Sequence, residues 1–369
     1  MRGVKISAKL RGVTKNKVPL RGQVAQLPKY VPGSRPSAGA AAFKLSSNEN
    51  PCPPLPAVLA TLADVAADIN RYPDMHAVAL TERIAAKFDV GADQVAVGAG
   101  SVAVLGDLLT ALLEPGDEVI YAWRSFEAYP ILTAIAGGSS VQVPLTEQLT
   151  HDLPAMLAAI TSRTKIILLC SPNNPTGTVI PHQDVANFLA QVPRNVLVVL
   201  DEAYAEFVRD PQAVRGHELL ADHPNLVMAR TFSKAYGLAG LRVGYALGHP
   251  GIIAGAQAVK TPFVVSDLAQ RAALVSLDAE EQLLDRVADL VEERTRVTAE
   301  LAAVGIDIPP TEANFFWLPL GPRTGDFVEL ANRSGIMVRA FAGEGVRISI
   351  GEVEANNISV AVTAEFVHS

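Results

Sequence analysis

Cysteine pairs, histidine clusters and long apolar runs are what this chain lacks. Its two cysteines, Cys52 and Cys170, lie in different segments and provide neither a disulfide framework nor a pair of metal ligands. Its seven histidines show no H-x-x-E-H or similar spacing, so we expect no metal site. No apolar run approaches the roughly 18 residues of a membrane span. With 369 residues, about half of them hydrophobic, we expect a soluble cytoplasmic protein with a large core and more than one domain.

One lysine stands out among the residues that are present. Lys234 closes the motif Thr-Phe-Ser-Lys and is followed by glycines and by Arg242. It comes directly after the apolar run 226–229, which predicts a buried parallel strand, and the carboxyl ends of such strands are where open α/β sheets bind ligands. Partial burial and the nearby Arg242 would lower the pKa of this amine. A lowered pKa is what an amine needs to attack a carbonyl and form a Schiff base.

A second predicted strand, residues 195–200, carries Asp201 at its end and Tyr204 three residues later. A buried carboxylate needs a cationic partner. The protonated ring nitrogen of pyridoxal phosphate is one such partner, and a carboxylate there keeps the ring an electron sink. Taken alone, an aspartate at a strand end could equally bind magnesium or cap the following helix.

Two loops at the same predicted sheet edge present polar groups. The segment Ser-Pro-Asn-Asn-Pro-Thr-Gly at 171–177 forms a rigid turn that would aim the Asn174 amide at a ligand. Earlier, a glycine turn at 98–100 leads into a helical pattern that begins at Ser101 and Val102. A helix N-terminus with small residues is an anion site.

The glycine turn also matches the relaxed dinucleotide fingerprint G-x-G-x-x-A, so a nicotinamide-dependent dehydrogenase is an alternative. That fingerprint requires an acidic residue at the end of the next strand to hold the ribose. Here the strand 118–122 is followed by Trp123, Arg124 and Ser125. The missing acid favours a phosphate cradle over a dinucleotide site.

In this order and spacing, the four segments resemble the fold-type I aminotransferases that use pyridoxal phosphate, in the branch that holds histidinol-phosphate and aromatic amino-acid aminotransferases. The resemblance extends from about Leu27 to Asn356, and the combination of Ser-Pro-Asn-Asn-Pro-Thr-Gly, Asp-Glu-Ala-Tyr and Thr-Phe-Ser-Lys is highly specific. It implies an α/β fold with a mostly parallel seven-stranded sheet between helices and a smaller α+β C-terminal domain. It also implies pyridoxal 5′-phosphate as the cofactor and a homodimer.

The resemblance implies a role for each motif residue. Lys234 would hold the cofactor as a Schiff base and shuttle the proton, Asp201 would pair with the ring nitrogen, and Tyr204 would bind the ring oxygen O3′. Further cofactor contacts would be Asn174 at O3′, Phe126 on the ring face, Tyr72 from the second subunit, and Ser101, Val102, Thr231, Ser233 and Arg242 at the phosphate. Arg347 would bind the substrate α-carboxylate with a bidentate fork. The substrate contacts are Arg347, Asn174, Tyr30 and Phe341.

Several of these residues have a plainer interpretation. Phe126 and Tyr129 could be ordinary core aromatics, and Tyr72 could be packing before a proline. Arg347 alternates with apolar neighbours along a predicted strand, so periodicity alone predicts that it faces solvent.

The pattern of apolar runs predicts the same fold class. From Gln94 to Leu247, short β-branched runs near residues 95, 119, 141, 167, 198, 227 and 244 alternate with helical patterns, which predicts a mostly parallel sheet covered on both faces. The charged segment 280–304 predicts one long amphipathic helix, followed by strands at 315–318, 336–339 and 346–350. We expect a tail and arm over 1–45, a large cofactor-binding domain over 46–262 and a small C-terminal domain over 263–369.

The N-terminal segment is basic. The first 48 residues contain no Asp or Glu, while Lys and Arg recur from Arg2 to Lys44. Such a segment could be a transit peptide or an arm that contacts nucleic acid. It has no apolar h-region, so we expect a flexible tail before about Leu20 and an extended arm at 28–36, with no nucleic-acid or membrane partner.

The sequence therefore predicts an aminotransferase that converts aromatic amino acids (Phe, Tyr or Trp) and, by resemblance, 2-oxoglutarate to aromatic 2-oxo acids and glutamate. Arg124 and Ser125 stand where histidinol-phosphate enzymes usually carry Pro-Thr, and the short loop 341–347 looks like that of actinobacterial-type aromatic aminotransferases. Tyr30, Phe126 and Phe341 could wall an aryl side chain. The alternatives are a histidinol-phosphate aminotransferase, with Arg339 or Arg35 at the phosphate, a decarboxylase or lyase with the same cofactor, and a ligand-binding regulator.

Overall fold

The computed structural model describes residues 42–368, together with Val18, Pro19, Gly22 and Leu27. The predicted tail and the arm at 28–36, including Tyr30 and Arg35, lie outside the described residues. Eleven α-helices of the described part are α1 (Pro56–Val65), α2 (Val78–Phe88), α3 (Ser101–Leu112), α4 (Ala128–Ala136), α5 (Leu153–Ala158), α6 (His182–Gln191), α7 (Pro250–Val259), α8 (Asp267–Asp278), α9 (Glu280–Ala303), α10 (Thr324–Arg333) and α11 (Val353–Val367).

A seven-stranded sheet forms the larger part of the molecule. After a two-residue strand, β1 (Phe43–Lys44), its strands are β2 (Val95–Gly98), β3 (Glu118–Trp123), β4 (Ser139–Pro144), β5 (Thr164–Cys170), β6 (Leu197–Asp201), β7 (Leu226–Thr231) and β8 (Gly244–Gly248). The spatial order is β2-β8-β7-β6-β5-β3-β4; β8 is antiparallel to both of its neighbours, β2 and β7, and the other neighbouring pairs are parallel. The predicted mostly parallel seven-stranded sheet is confirmed, and all seven strands lie where the sequence predicts them.

Both faces of the central strands of this sheet are buried, which explains why those strands are mostly apolar rather than alternating, whereas the edge strand β4 is largely exposed. In β5, Ile166 and Leu168 pack on one face with residues of α3, α4 and α7. Ile167 and Leu169 pack on the other face with residues of α5 and α6. Each fully buried side chain of this size stabilises the fold by about 1.5–3 kcal/mol, so the carboxyl ends of the central strands are firmly positioned.

The C-terminal part contains a three-stranded antiparallel sheet in the order β11-β12-β9, formed by β9 (Phe315–Leu318), β11 (Arg339–Phe341) and β12 (Gly345–Ser349). A separate short strand, β10 (Ile336–Met337), pairs in parallel with β1. The prediction of one continuous strand over 336–339 is therefore wrong. The segment forms two strands separated by Val338, because β10 pairs with β1 and β11 pairs with β12.

The predicted long helix is confirmed as α9, which spans Glu280–Ala303. Its buried positions recur at helical spacing, and they include the charged Arg294. Arg294 donates to the backbone oxygens of Phe207 and Ala313 and pairs with Glu312, so its charge is compensated. This helix thereby connects the large sheet to the C-terminal strands.

The division into segments 1–45, 46–262 and 263–369 stays a prediction.

Among the residues described, no helix is both long and apolar enough to cross a membrane. Within the same residues, no group of three or more His, Cys, Asp or Glu side chains is arranged to hold a metal ion.

Candidate active site

A cavity of about 240 Å³ lies at the carboxyl ends of β5, β6 and β7. The N-terminus of α3 closes one side, and the hairpin of β11 and β12 covers it. Most of the residues proposed from the sequence line this cavity: Ser101, Val102, Phe126, Asn174, Asp201, Tyr204, Thr231, Ser233, Lys234, Arg242 and Arg347. Segments that are far apart in the chain therefore converge on one place.

Lys234 occupies the turn that follows β7. Its Nζ donates to the backbone oxygen of Ser47 at 3.1 Å. Burial, followed by the positive charge of Arg347, lowers the pKa of Lys234 to about 7, and Arg242 adds to the effect. A large fraction of this amine is therefore neutral near pH 7, which is the nucleophilic form.

Asp201 is the last residue of β6 and is buried. Its Oδ2 accepts a hydrogen bond from the Tyr129 hydroxyl at 2.9 Å, whereas Oδ1 has no hydrogen-bond partner in the described part of the chain. Burial raises the pKa of Asp201 to about 6, and the Tyr129 hydroxyl and the Ala203 amide oppose that rise. A buried carboxylate with one oxygen unsatisfied requires a cation or a donor from a ligand.

The first turn of α3 contains no acidic residue, so the positive end of the helix is free to attract an anion. Gly100 precedes it with φ +84°, and a Cβ there would lie 2.8 Å from Nη2 of Arg242. A Cβ on Gly244 would lie 2.3 Å from the Ser101 nitrogen. Glycine at both positions therefore lets the guanidinium and the helix amides approach the same point.

The remaining phosphate-site residues expected from the sequence surround that point. The Ser233 hydroxyl accepts a hydrogen bond from Nη1 of Arg242 at 3.4 Å, and the Ser233 amide donates to the Thr231 hydroxyl at 3.1 Å. Arg242 is held at φ +58°, in the left-handed region that non-glycine residues rarely adopt. Hydroxyls, helix amides and a guanidinium in one cradle fit a phosphate group.

Tyr204 and Asn174 lie on the wall between the sheet and the C-terminal hairpin. The Tyr204 hydroxyl accepts a hydrogen bond from Nδ2 of Asn48 at 3.0 Å. Burial raises the pKa of Tyr204 above its usual value, so the phenol stays protonated and is able to donate. The Asn174 Oδ1 accepts a hydrogen bond from Arg347 at 2.6 Å, which fixes the orientation of that amide.

Arg347 is buried, and the alternative that it faces solvent is wrong. All five residues of β12 are buried, because one face packs on the core and the other faces the cavity. The two Nη atoms of Arg347 donate to Asn174 and to the backbone oxygen of Ser46. The guanidinium also lies 5.4 Å from the centroid of the Phe315 ring. It is thus a preoriented fork of the kind that binds carboxylates.

These features together fit pyridoxal 5′-phosphate. A phosphate cradle, a reactive amine and an unsatisfied carboxylate match its phosphate, aldehyde and ring nitrogen. The comparisons with known proteins give the same result. The family model for aminotransferase class I and II matches residues 41–364. The chain belongs to this family of pyridoxal-phosphate-dependent aminotransferases.

Curated relatives and solved structures agree with that assignment. An aromatic amino acid aminotransferase of Streptomyces avermitilis is 53% identical over 348 residues, which cover 94% of this chain and 97% of the relative. One of Mycobacterium bovis is 47% identical over 340 residues, covering 92% and 95%. The structure of histidinol-phosphate aminotransferase from Sinorhizobium meliloti, in complex with pyridoxal-5′-phosphate, has a TM-score of 0.82 at 29% identity and covers 89% of this chain and 92% of its own.

Two residues proposed for the aminotransferase site do not line the cavity. Tyr72 is 83% exposed, and its ring packs on Phe263 with the centroids 4.6 Å apart. Phe341 is 4% exposed and packs against Trp317, and it is not among the residues that line the cavity in this chain. Tyr30 lies outside the described residues.

Sequence reasoning missed several residues of the aminotransferase cavity. Neither Asn48, which contacts Tyr204, nor Glu127, which lines the cavity, was predicted. Tyr129 was predicted only as a possible core aromatic and contacts Asp201, and Arg339, predicted only as a possible ligand of a substrate phosphate, lines the cavity. Tyr129 and Glu127 lie within three residues of Phe126, so their proximity in the chain is a usable signal. Asn48 has φ +53°, a conformation that asparagine adopts more readily than most residues, but nothing local in the sequence points to its partner.

Proposed function

We propose that this aminotransferase transfers the amino group of phenylalanine, tyrosine or tryptophan to 2-oxoglutarate, giving aromatic 2-oxo acids and glutamate. The observation that carries the chemistry is the convergence, in one cavity, of an amine with a pKa of about 7, a buried carboxylate with one unsatisfied oxygen, and a buried guanidinium fork. The substrate class is supported by relatives at 47–53% identity that are named aromatic amino acid aminotransferases.

Bound pyridoxal 5′-phosphate supplies an aldehyde that accepts the substrate amine and a ring that takes up the electrons of the broken Cα–H bond. In the proposal, the α3 amides, Thr231, Ser233 and Arg242 hold its phosphate. Asp201, as a carboxylate, would stabilise a protonated ring nitrogen, while Tyr204 and Asn174 would donate to the ring oxygen. The part of these residues is to fix the ring in one orientation.

Lys234 has two tasks in the proposal. With pyridoxal 5′-phosphate bound, Lys234 would hold the group through its neutral amine, and the same amine, when free, would move the proton of the substrate Cα. A pKa of about 7 suits both tasks, because a general base works best when its pKa lies near the operating pH.

Arg347 positions the substrate. Its two Nη atoms, which point to Asn174 and Ser46, accommodate the α-carboxylate as a bidentate pair. This contact would hold the substrate with its Cα near Lys234 and so orient the bond that loses its proton. Orientation of this kind accounts for much of the rate enhancement in such enzymes.

A donor panel tests the substrate class. The purified holoenzyme is supplied with 2-oxoglutarate and with phenylalanine, tyrosine, tryptophan or histidinol phosphate, and kcat/KM is measured for each donor under the same conditions. We expect phenylalanine and tyrosine to exceed histidinol phosphate. A clear advantage for histidinol phosphate would contradict the aromatic assignment, and the structural similarity to histidinol-phosphate aminotransferase makes that donor the right comparison.

We also propose that the active species is a homodimer, acting in the cytoplasm. Exposed apolar side chains support a partner surface: Leu59, Ile69, Tyr72, Met75, Val78, Phe263 and Val264. Exposure of the Tyr72 and Phe263 ring pair is costly for a monomer and is relieved if a second copy covers it. The two free cysteines, Cys52 and Cys170, are compatible with a reducing compartment.

Subunit mixing tests a shared site. In the proposal Tyr72 reaches the phosphate of the neighbouring subunit. An inactive Lys234→Ala chain mixed with an impaired Tyr72→Ala chain should regain partial activity, since one site of the heterodimer keeps both residues. If heterodimers form and no activity returns, Tyr72 does not act across the interface.

A further inference from the structure

Two arginines lie side by side above the cavity. Arg339 of β11 is paired directly opposite Arg347 of β12, and both side chains line the cavity. Like charges at directly opposite positions of an antiparallel pair repel each other. Arg347 is directed to Asn174 and Ser46, so the second guanidinium marks a separate subsite beside the one for the α-carboxylate.

The charge of Arg339 is neutralised from the other side of the cavity. Its Nη2 donates to the carboxylate of Glu127, which follows Phe126 in the loop between β3 and α4 and also lines the cavity. The Arg339 side chain is 7% exposed and the Glu127 side chain 29% exposed, so this ion pair is largely shielded from water. Charge–charge forces at such a site are stronger than at an open surface.

We propose that Glu127 is a specificity-determining residue, which neutralises Arg339 and thereby selects substrates with an uncharged side chain over those whose side chain ends in a carboxylate or a phosphate. An aryl side chain leaves the ion pair intact and packs beside it. An anionic side chain meets the charge of Glu127 and gains Arg339 only by displacing it. The inference deepens the proposed function and rests on it.

The same ion pair affects the two half-reactions differently. The aromatic donor carries one carboxylate, which Arg347 binds. The acceptor 2-oxoglutarate carries two, and its second carboxylate must compete with Glu127 for Arg339. Glu127 therefore lowers the affinity for 2-oxoglutarate and glutamate, and it disfavours, without excluding, substrates whose side chain ends in a carboxylate or a phosphate. Arg339 itself remains available to a side-chain anion, at a reduced affinity.

Glu127→Gln tests this role, because the amide keeps the size of the side chain and removes its charge. Dissociation constants of the holoenzyme are measured by calorimetry for glutarate and for 3-phenylpropanoate, which carry no amino or oxo group and do not react. We expect the affinity ratio of glutarate to 3-phenylpropanoate to rise at least fivefold. The ratio of kcat/KM for glutamate to that for phenylalanine should change in the same direction.

Two further variants separate charge from structure. Glu344→Gln is the matched control, since Glu344 lies in the turn of the same hairpin, pairs with Arg124 of the loop after β3 and does not line the cavity; it should change the affinity ratio less than twofold. Arg339→Gln breaks the same ion pair as Glu127→Gln but leaves the negative charge, so it should lower the ratio at least fivefold. Changes of the affinity ratio in opposite directions for Glu127→Gln and Arg339→Gln are expected only if charge at this subsite selects the substrate.

The outcomes that overturn the proposal are distinct from those that overturn the proposed function. A change below fivefold in Glu127→Gln, a shift of Glu127→Gln and Arg339→Gln in the same direction, or an equal effect of Glu344→Gln overturns the role of Glu127. Failure of the unmodified enzyme to convert phenylalanine overturns the aromatic assignment instead. The two binding measurements still test Glu127 in that case, because neither analogue has to react.

Discussion

The floor and the roof of the cavity are built in different ways. On the floor, Asp201 ends β6, Lys234 follows β7, and the first turn of α3 follows β2, so each group is positioned by the backbone of one sheet. On the roof, Arg339 and Arg347 extend from a short hairpin, and Arg339 is paired with Glu127 from another segment. The floor thus depends on buried strands, and the roof depends on long side chains.

This difference separates chemistry from selection. The strand ends that carry the floor residues cannot shift without disturbing a core that is buried on both faces of the sheet. On the roof, Arg339 belongs to an ion pair with Glu127 that can rearrange around different ligands, and Arg124 and Glu344 form a second such pair beside the first. Substitutions on the floor should therefore affect every substrate, and so should a substitution of Arg347, because all substrates share the α-carboxylate. Substitutions in the pair of Arg339 and Glu127 should instead affect some substrates more than others.

The largest effect is expected for Lys234→Ala. This variant removes both the amine that binds the cofactor and the base that moves the proton, so transamination should be abolished for every donor. The matched control is Lys260→Ala, because burial also lowers the pKa of Lys260 but this lysine does not line the cavity. Turnover of Lys234→Ala near the normal rate would refute the assignment of the catalytic amine.

A loss of several orders of magnitude is expected for Asp201→Asn. The amide keeps the shape of the side chain but no longer compensates a protonated ring nitrogen, an electrostatic loss of about 4 kcal/mol or more. The cofactor should remain bound while single-turnover removal of the Cα proton slows. An effect below tenfold would mean that this carboxylate has another function.

The reactivity of Lys234 should depend on pH in a distinctive way. In the cofactor-free protein its pKa is about 7, so the amine is protonated below that value and neutral above it. Labelling by an amine-reactive reagent, followed site by site with mass spectrometry, should rise with a midpoint near pH 7 and then level off. Ordinary lysines should continue to gain reactivity up to about pH 10. A midpoint for Lys234 near 10 would show that the cavity does not lower its pKa.

On the roof, Arg347→Lys should reduce kcat/KM by about a hundredfold. Lysine keeps the charge but cannot make two parallel hydrogen bonds to a carboxylate, a loss of about 2–3 kcal/mol. Since donors and acceptors share the α-carboxylate, the reduction should be similar for phenylalanine and 2-oxoglutarate. A strong bias toward either substrate would place the α-carboxylate elsewhere.

The smallest effect, about tenfold on kcat/KM, is expected for Tyr129→Phe. The lost hydroxyl donates to Asp201 and lowers its pKa, so its removal raises that pKa further above the usual value. A carboxylate with a raised pKa becomes protonated as the pH falls. The deficit should therefore be larger at pH 6 than at pH 8. A deficit that does not change with pH would indicate that Tyr129 acts through packing alone.

Much of the floor could be predicted because its residues lie in short motifs at strand ends. Lys234 and Asp201 each follow an apolar run, and strand length and burial determine where such a run ends. The roof could be predicted only in part. The pairing of Arg339 with Glu127 joins residues 212 positions apart, and local sequence contains no information about which side chain such an arginine meets.

The difference between the predicted and the observed position of Phe341 also depends on residues that are distant in the chain. Phe341 is aromatic and close to Arg347 in the chain, which made it a reasonable candidate for the cavity wall. On β11 it lies on the same face as Arg339 but two residues nearer the hairpin turn, beyond the residues that line the cavity. There its ring lies 5.3 Å from that of Trp317 and within 5.4–5.5 Å of the Arg124 and Arg339 guanidinium carbons. Its position along the strand, and not the face on which it lies, keeps it out of the cavity lining, and local sequence does not show where the cavity ends.

The pairing of β1 with β10 has a consequence for the order in which a growing chain becomes active. The backbone oxygens of Ser46 and Ser47, just after β1, hold Arg347 and Lys234, and the Asn48 amide donates to a serine hydroxyl 301 residues later. During synthesis, the segment that follows β1 is made 301 residues before this partner and meets it only after that length of chain has emerged. The large sheet can form beforehand, but a nascent chain has no complete place for a substrate until its last strands leave the ribosome.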